Sequence, residues 1–265
     1  MIPEERARQL TAEEYVSQVA DLPARELTRD DGGESGVQTW HVTSRGMPYF
    51  LKFAPHERYE RTLAKDAAIC SWQLHTAITR LLEVVHLEDG VLLRFEYFDG
   101  EHPRPSPERR RFYLDLSLTA KLRALNTIFE ALAEVVNAGW IMVDFYEGNV
   151  LYNFRTGEVK IFDFEFFERA GEAGGFVLRR ERNPGSTRLM APEEWVRGER
   201  IDQATNVYTL GRFAINAMCA DVGDDWRPTF QGSDRQATVI ERATRRDREK
   251  RYRTVEQFVA EFALA

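Results

Sequence analysis

The run Asp144-Phe145-Tyr146-Glu147-Gly148-Asn149 sets a carboxylate and a carboxamide five positions apart (149 − 144 = 5), between apolar stretches at 140–143 and 150–154. Fourteen residues on (163 − 149 = 14), Ile161-Phe162-Asp163-Phe164 brings another carboxylate to the end of an apolar strand pattern. Hard oxygen ligands hold divalent cations, and a carboxylate can orient a hydroxyl; moving a phosphoryl group asks for both. Taken singly, each run reads more readily as an ordinary turn, because Asp and Asn favour turns. Cations that could face a phosphate are few among the lysines, which are Lys52, Lys65, Lys121, Lys160 and Lys250. Lys52 ends the strand pattern Met47-Pro48-Tyr49-Phe50-Leu51-Lys52, where a lysine is ordinarily a solvated edge residue.

The elements that must position these groups follow from periodicity and turn chemistry. Residues 37–42 and 47–53 read as a hairpin turning at Ser44-Arg45-Gly46, and 81–86 and 91–98 as strands joined at Glu88-Asp89-Gly90. A charged helix is expected over 57–75. Asp99-Gly100 followed by Pro103, Pro105 and Pro107 marks a boundary. Beyond it Leu118, Leu122, Leu125, Phe129, Leu132 and Val136 recur at alternating spacings of 4 and 3, one apolar helix face closed by Gly139. A strand is expected over 159–164, and helices over 208–219, 236–245 and 255–264. The expected fold is α+β and bilobal, with a β-rich lobe over 1–100 and a helical lobe over 101–265.

Composition narrows the function. The 265 residues are 43% hydrophobic and 30% charged, those of a globular protein. A net charge of −7 gives nucleic-acid binding no electrostatic support. The charged first 21 residues lack an apolar leader core, and no stretch approaches the length of a membrane span. Two cysteines, Cys70 and Cys219, sit in apolar helical patterns and read as core thiols in a reducing, cytoplasmic compartment. No His or Cys cluster has metal-ligand spacing, and no Ser-His-Asp or Cys-His arrangement can be proposed.

Taken together, D-x-x-x-x-N at 144–149 and the Asp163-Phe164 pair resemble the catalytic loop and metal-binding segment of the protein kinase superfamily. Gly185-Ser186-Thr187-Arg188-Leu189-Met190-Ala191-Pro192-Glu193 is similar to the end of a kinase activation segment, 28 residues past Asp163 (191 − 163 = 28). Asn206-Val207-Tyr208-Thr209-Leu210-Gly211 and Asp247-Arg248-Glu249-Lys250-Arg251-Tyr252 resemble two further motifs of the helical lobe. The resemblance runs from about Leu27 to the C-terminus and is to eukaryotic-type Ser/Thr kinases of a divergent, bacterial-like kind. It implies ATP and Mg²⁺ as cofactors, Asp144 as catalytic base, and Asn149 and Asp163 as metal ligands. It implies that Lys52 contacts the α/β-phosphates and pairs with a helix acid, Asp66 by position, with Glu60 in reserve. Gly33 and Gly36 would belong to a degenerate glycine loop, with Val37 beside it; Glu96 and Phe98 would meet adenine through their backbone, Phe95 would stand as gatekeeper and Leu151 would lie beneath the base. Arg251 would pair with Glu193.

Several positions depart from the family pattern. Met142-Val143-Asp144 stands for His-Arg-Asp, so the arginine that receives an activation-segment phosphate is absent. Between Phe164 and Met190 the only hydroxyls are Ser186 and Thr187. Glu165 replaces the glycine of Asp-Phe-Gly, Tyr146 stands where Ser/Thr kinases carry lysine, Phe50 replaces alanine, and Asn206 replaces aspartate. The arginines of 168–188 read as a basic strip for an acidic substrate or as solvated loop. Three functions stay open: a protein Ser/Thr kinase with unnamed protein substrates, a small-molecule kinase on the same fold, and a pseudokinase scaffold. A homodimer is compatible with all three.

Overall fold

The computed structural model describes residues 2–29, 36–102 and 116–265. It is a mixed α/β chain with a sheet-based N-terminal part and a helical C-terminal part, and no helix among the described residues is long and apolar enough to cross a membrane. Two compact units result: Met1–Asp99 with Phe162–Glu165, and Gly100–Ile161 with Phe166–Ala265.

The first unit begins with two helices, α1 (Glu4–Ala7) and α2 (Ala12–Val19). Thr11 caps α2 reciprocally with Glu14, whose carboxylate accepts the Thr11 amide at 2.9 Å. Five strands follow as β1 (Arg25–Arg29), β2 (Gln38–Ser44), β3 (Met47–Pro55), β4 (Leu81–His86) and β5 (Gly90–Glu96), in the order β1-β2-β3-β5-β4 with every pairing antiparallel. The β2–β3 hairpin turns through Arg45 and Gly46, both at positive φ (53° and 73°), the two-residue turn whose twist matches its strands. Side chains alternate across β3. Leu51 and Phe53 therefore join Trp40, Val42, Ala12, Tyr15 and Val16 in one core cluster, while Lys52 projects to the opposite face.

There Lys52 meets α4 (Leu63–Ser71), which with α3 (His56–Tyr59) stands in place of the continuous helix expected over 57–75. No Gly or Pro marks the break; Thr62 leaves helical geometry (φ −128°, ψ −91°) and turns its hydroxyl back onto the Arg58 carbonyl at 3.0 Å. Cys70 on α4 and Cys219 in the second unit are both buried free thiols.

The second unit is built on α5 (Leu118–Asn137), capped by Ser117. Its buried face is wider than one stripe, taking in Ala124, Ile128, Ala131 and Val135 beside Leu125, Phe129, Leu132 and Val136. Leu118, expected on that face, is 41% exposed. Short strands β6 (Trp140–Ile141), β7 (Val150–Tyr152), β8 (Val159–Ile161), β9 (Glu168–Arg169), β10 (Gly175–Val177) and β11 (Arg200–Asp202) pair as β6–β9, β7–β8 and β10–β11. The helices α6 (Gln203–Met218), α7 (Asp234–Ala243) and α8 (Val255–Ala263) complete it. Phe129 lies 5.3 Å from Phe258 and from Phe262 and 6.5 Å from Phe213, an aromatic core joining α5, α6 and α8.

Because Tyr15 is buried against Trp40 and Val42, replacing Tyr15 by Ala should cost about 3 kcal/mol of folding stability in denaturant titration. Leu22→Ala, at a site 70% exposed, should leave the midpoint unchanged.

Candidate active site

In the first unit the buried Lys52 ammonium meets three carboxylates: Asp66 Oδ2 at 2.6 Å, Glu165 Oε1 at 2.7 Å and Asp163 Oδ1 at 2.8 Å. An ammonium has three N–H bonds, so each is matched by one carboxylate. Asp66 is 1% exposed, not on a solvated helix face, and Glu60 is exposed and makes no pair with Lys52. The Asp66 side chain does double duty: its other oxygen accepts the Phe164 amide at 2.6 Å, tying α4 to the Asp163-Phe164 segment.

Charge sets the protonation of this cluster. Burial pulls the Lys52 ammonium down, but Asp163, Asp66 and Glu165 outweigh it and hold its pKa well above the ordinary lysine range. Burial pushes the Glu165 carboxyl up to about 8 against the pull of Lys52, with Asp163 and Asp66 adding to the rise. Burial likewise raises Asp66, again opposed by Lys52. Three carboxylates around one ammonium thus favour keeping a proton within the group. Oxygens of Asp66, Asp163 and Glu165 lie within 4.8 Å of one another, donors of the hard kind that divalent cations take, here gathered around the Lys52 ammonium.

Asp163 does not end a strand. β8 stops at Ile161, and Asp163 takes φ 70°, one of four non-glycine residues at positive φ among those described. Asp144 is another, at 61°. Such conformations cost energy and cluster where side chains must be aimed.

In the second unit, Asp144 Oδ1 accepts the Ser186 amide at 2.6 Å, and Gly185 (φ 87°) lies so close that a Cβ there would overlap the Asp144 carboxyl. Asn149 is buried and closes the loop 144–149 on itself: its Oδ1 accepts the Tyr146 amide at 2.8 Å, and its amide donates to the Tyr146 carbonyl at 3.0 Å. Asn206, fully buried on α6, accepts the Met142 amide at 3.0 Å and donates to the Met142 carbonyl at 2.8 Å. A carboxylate could serve only the first of these bonds.

The Arg251 guanidinium is buried with all five N–H groups bonded: bidentate to Glu193 at 2.7 and 3.0 Å, and to the carbonyls of Arg245, Ala204 and Arg246. Burial alone would push the Glu193 carboxyl up; the Arg251 fork outweighs it and holds it below the usual range. The pairing read from sequence is present.

Of the residues assigned to the nucleotide, Gly33 lies outside the described residues. Gly36 adopts left-handed backbone (φ 63°), and a side chain there would meet Arg58; Val37 is buried. In the sheet Phe50 opposes Phe95, their rings 6.3 Å apart, and Tyr49 opposes Glu96, whose amide donates to the Arg80 carbonyl at 3.1 Å. Phe98 is half-buried beyond β5, and Leu151 is half-buried in β7 of the second unit.

The sequence reading missed Glu165, which it treated only as a lost glycine. A signal was there: an acid inside Phe162-Asp163-Phe164-Glu165-Phe166-Phe167 sits in an aromatic run that will be buried and must find a cation. Arg188, which reaches back to the loop 144–149, was missed too.

A protein kinase domain family model matches residues 31–262, most of the chain. The chain belongs to the protein kinase domain family. Kinases of this family are phosphotransferases that use ATP and a divalent metal. The match begins after α1 and α2, so the two helices that cover one face of the kinase sheet lie outside it.

Asn206→Asp should destabilise this kinase by roughly 2–4 kcal/mol, because a buried carboxylate would face the Met142 carbonyl. Thermal and denaturant melts at neutral pH would read the loss, and a midpoint equal to that of the unaltered chain would contradict the two-bond account.

Proposed function

We propose that this kinase transfers the γ-phosphoryl group of ATP, with Mg²⁺, to serine or threonine hydroxyls of protein substrates. The observation that carries the reading is the buried Lys52 ammonium bound to Asp66, Asp163 and Glu165. Burying charges in this way is a poor route to stability, since apolar side chains of similar volume would serve as well or better. Phosphoryl transfer, in contrast, needs an ammonium fixed in place to meet phosphates. A scaffold has no such need, which favours an active kinase over a pseudokinase.

In this reading Lys52 meets the α/β-phosphates, Asp163 is the principal Mg²⁺ ligand and Asn149 the second unit's ligand. Mg²⁺ supplies charge neutralisation at the phosphates. Asp144 orients the acceptor hydroxyl and takes its proton. Gly33, Gly36, Val37, Glu96, Phe98 and Leu151 surround the nucleotide, and the lobes run 1–100 and 101–265. The 185–193 segment and the Arg251–Glu193 pair support a protein acceptor over a small molecule.

Labelled ATP offered with generic protein acceptors and small hydroxyl compounds tests the reading. Label should pass to protein serine or threonine, and Asp163→Ala or removal of Mg²⁺ should abolish it. Transfer unchanged in Asp163→Ala rejects the assignment; nucleotide binding without any transfer supports the scaffold; transfer only to a small molecule supports the second reading.

Regulation follows from what stands before Asp144. With Val143 in place of arginine, no cation there receives an activation-segment phosphate. Intact-mass measurement and site mapping after incubation with ATP should find no stoichiometric, activating phosphate within 164–190.

A further inference from the structure

The loop from Asp144 to Asn149 carries no cation of its own: Phe145, Tyr146, Glu147 and Gly148 stand between its ends. Negative charge on the oxygens of a phosphoryl group in transit calls for a positive group aimed at it, and the lysine that Ser/Thr kinases place here is Tyr146 in this chain. The second unit brings a guanidinium to the same ring. Arg188, in the short turn Thr187–Leu189, has its guanidinium carbon 5.1 Å from the centre of the Tyr146 ring. Its Nη1 lies 3.1 Å from Glu147 Oε1, and its Nε donates to the Ser186 hydroxyl at 3.4 Å. The Ser186 amide in turn donates to Asp144. One residue therefore separates this cation from the carboxylate assigned to the acceptor hydroxyl.

As a plain surface ion pair, Arg188–Glu147 would contribute little. Its asymmetry argues for more. The Glu147 side chain is only 8% exposed and anchors the pair, while Arg188 keeps 44% of its side chain open to solvent. Nη2 takes part in neither polar contact. The Tyr146 ring is itself set in place, packed so closely on Gly148 that a Cβ at that position would overlap it. A ring packed on Gly148, a buried carboxylate and a hydroxyl thus hold a guanidinium whose Nη2, with two N–H groups, enters none of these contacts and can donate to phosphoryl oxygens.

We propose that Arg188 is a catalytic residue of this kinase, supplying from the end of the activation segment the positive charge that its loop 144–149 lacks. The inference rests on the phosphoryl-transfer reading above. In the step, the bond between the γ-phosphorus and the β–γ bridging oxygen breaks and its electron pair leaves with ADP. The acceptor oxygen bonds to phosphorus, and its proton passes to Asp144. Arg188 exchanges no proton; its Nη2 edge holds oxygens of the moving group.

Steady-state transfer from labelled ATP by the full chain tests this, alongside nucleotide titration and melting. Arg188→Ala should lower kcat about a hundredfold, with ATP affinity and melting temperature nearly unchanged. Arg188→Lys should keep part of the rate. Tyr146→Lys placed in the Arg188→Ala background should restore roughly tenfold or more, since it returns an ammonium to the loop. The proposal is overturned if Arg188→Ala stays within about threefold of the unaltered rate, or if neither lysine variant recovers what alanine lost. In either case transfer by the unaltered chain leaves the kinase reading standing. Absence of transfer by the unaltered chain removes that reading and the role of Arg188 with it.

Discussion

A buried cation must have every donor matched, and each unit of this kinase is organised around one that does. In the first unit the three N–H bonds of Lys52 meet three carboxylates drawn from α4 and the Phe162–Glu165 segment. In the second unit the five N–H groups of Arg251 meet Glu193 and three backbone carbonyls. Leaving one such donor bare in an apolar interior would cost several kcal/mol, so the surrounding backbone has little latitude. Position on β3 is what makes the first case work. Strand alternation sends Leu51 and Phe53 into the core beneath the N-terminal helices and sends Lys52 the other way, towards α4.

The two centres differ in what they leave unsettled. Arg251 and Glu193 balance one charge against one, and the carboxyl is held below its ordinary range. Lys52 faces an excess of negative charge, and burial first, then the neighbouring carboxylates, drive the Glu165 and Asp66 carboxyls upward against the pull of Lys52. The first arrangement suits a permanent brace for the 185–193 segment. The second is left with more negative charge than its one cation balances.

Much of this was legible in the sequence wherever the signal was local or matched an ordered motif. The β2–β3 hairpin announced itself by alternation around Arg45-Gly46, and α5 by its 4-3 spacing. The Lys52–Asp66 and Arg251–Glu193 pairs followed from motif position. What stayed hidden was long-range. Glu165 reaches Lys52 across 113 positions, and no periodicity encodes that. The break between α3 and α4 was equally silent, because Thr62 ends the helical run through its own hydroxyl, without the Gly or Pro that usually marks such a break. Leu118 fitted the apolar stripe of α5 but lies in its first turn, where the helix leaves the core. Asn206 read as an aspartate position that keeps hydrogen-bonding capacity without the charge. Its value lies in the pair of opposite bonds it makes to Met142, visible only once α6 and that backbone are adjacent.

Glu165 also bears on how freely its own segment can rearrange. Phe164 is fully buried, its amide is held by Asp66, and the residues on either side of it are both bound to Lys52. Swinging that ring outward would strain the buried Lys52–Glu165 pair, the part-buried Lys52–Asp163 pair and a backbone hydrogen bond together, in a stretch without the glycine that eases such a rotation. Inhibitors that work by trapping a kinase with this phenylalanine displaced would meet a mechanical resistance here, and selectivity among kinases can be sought in that difference.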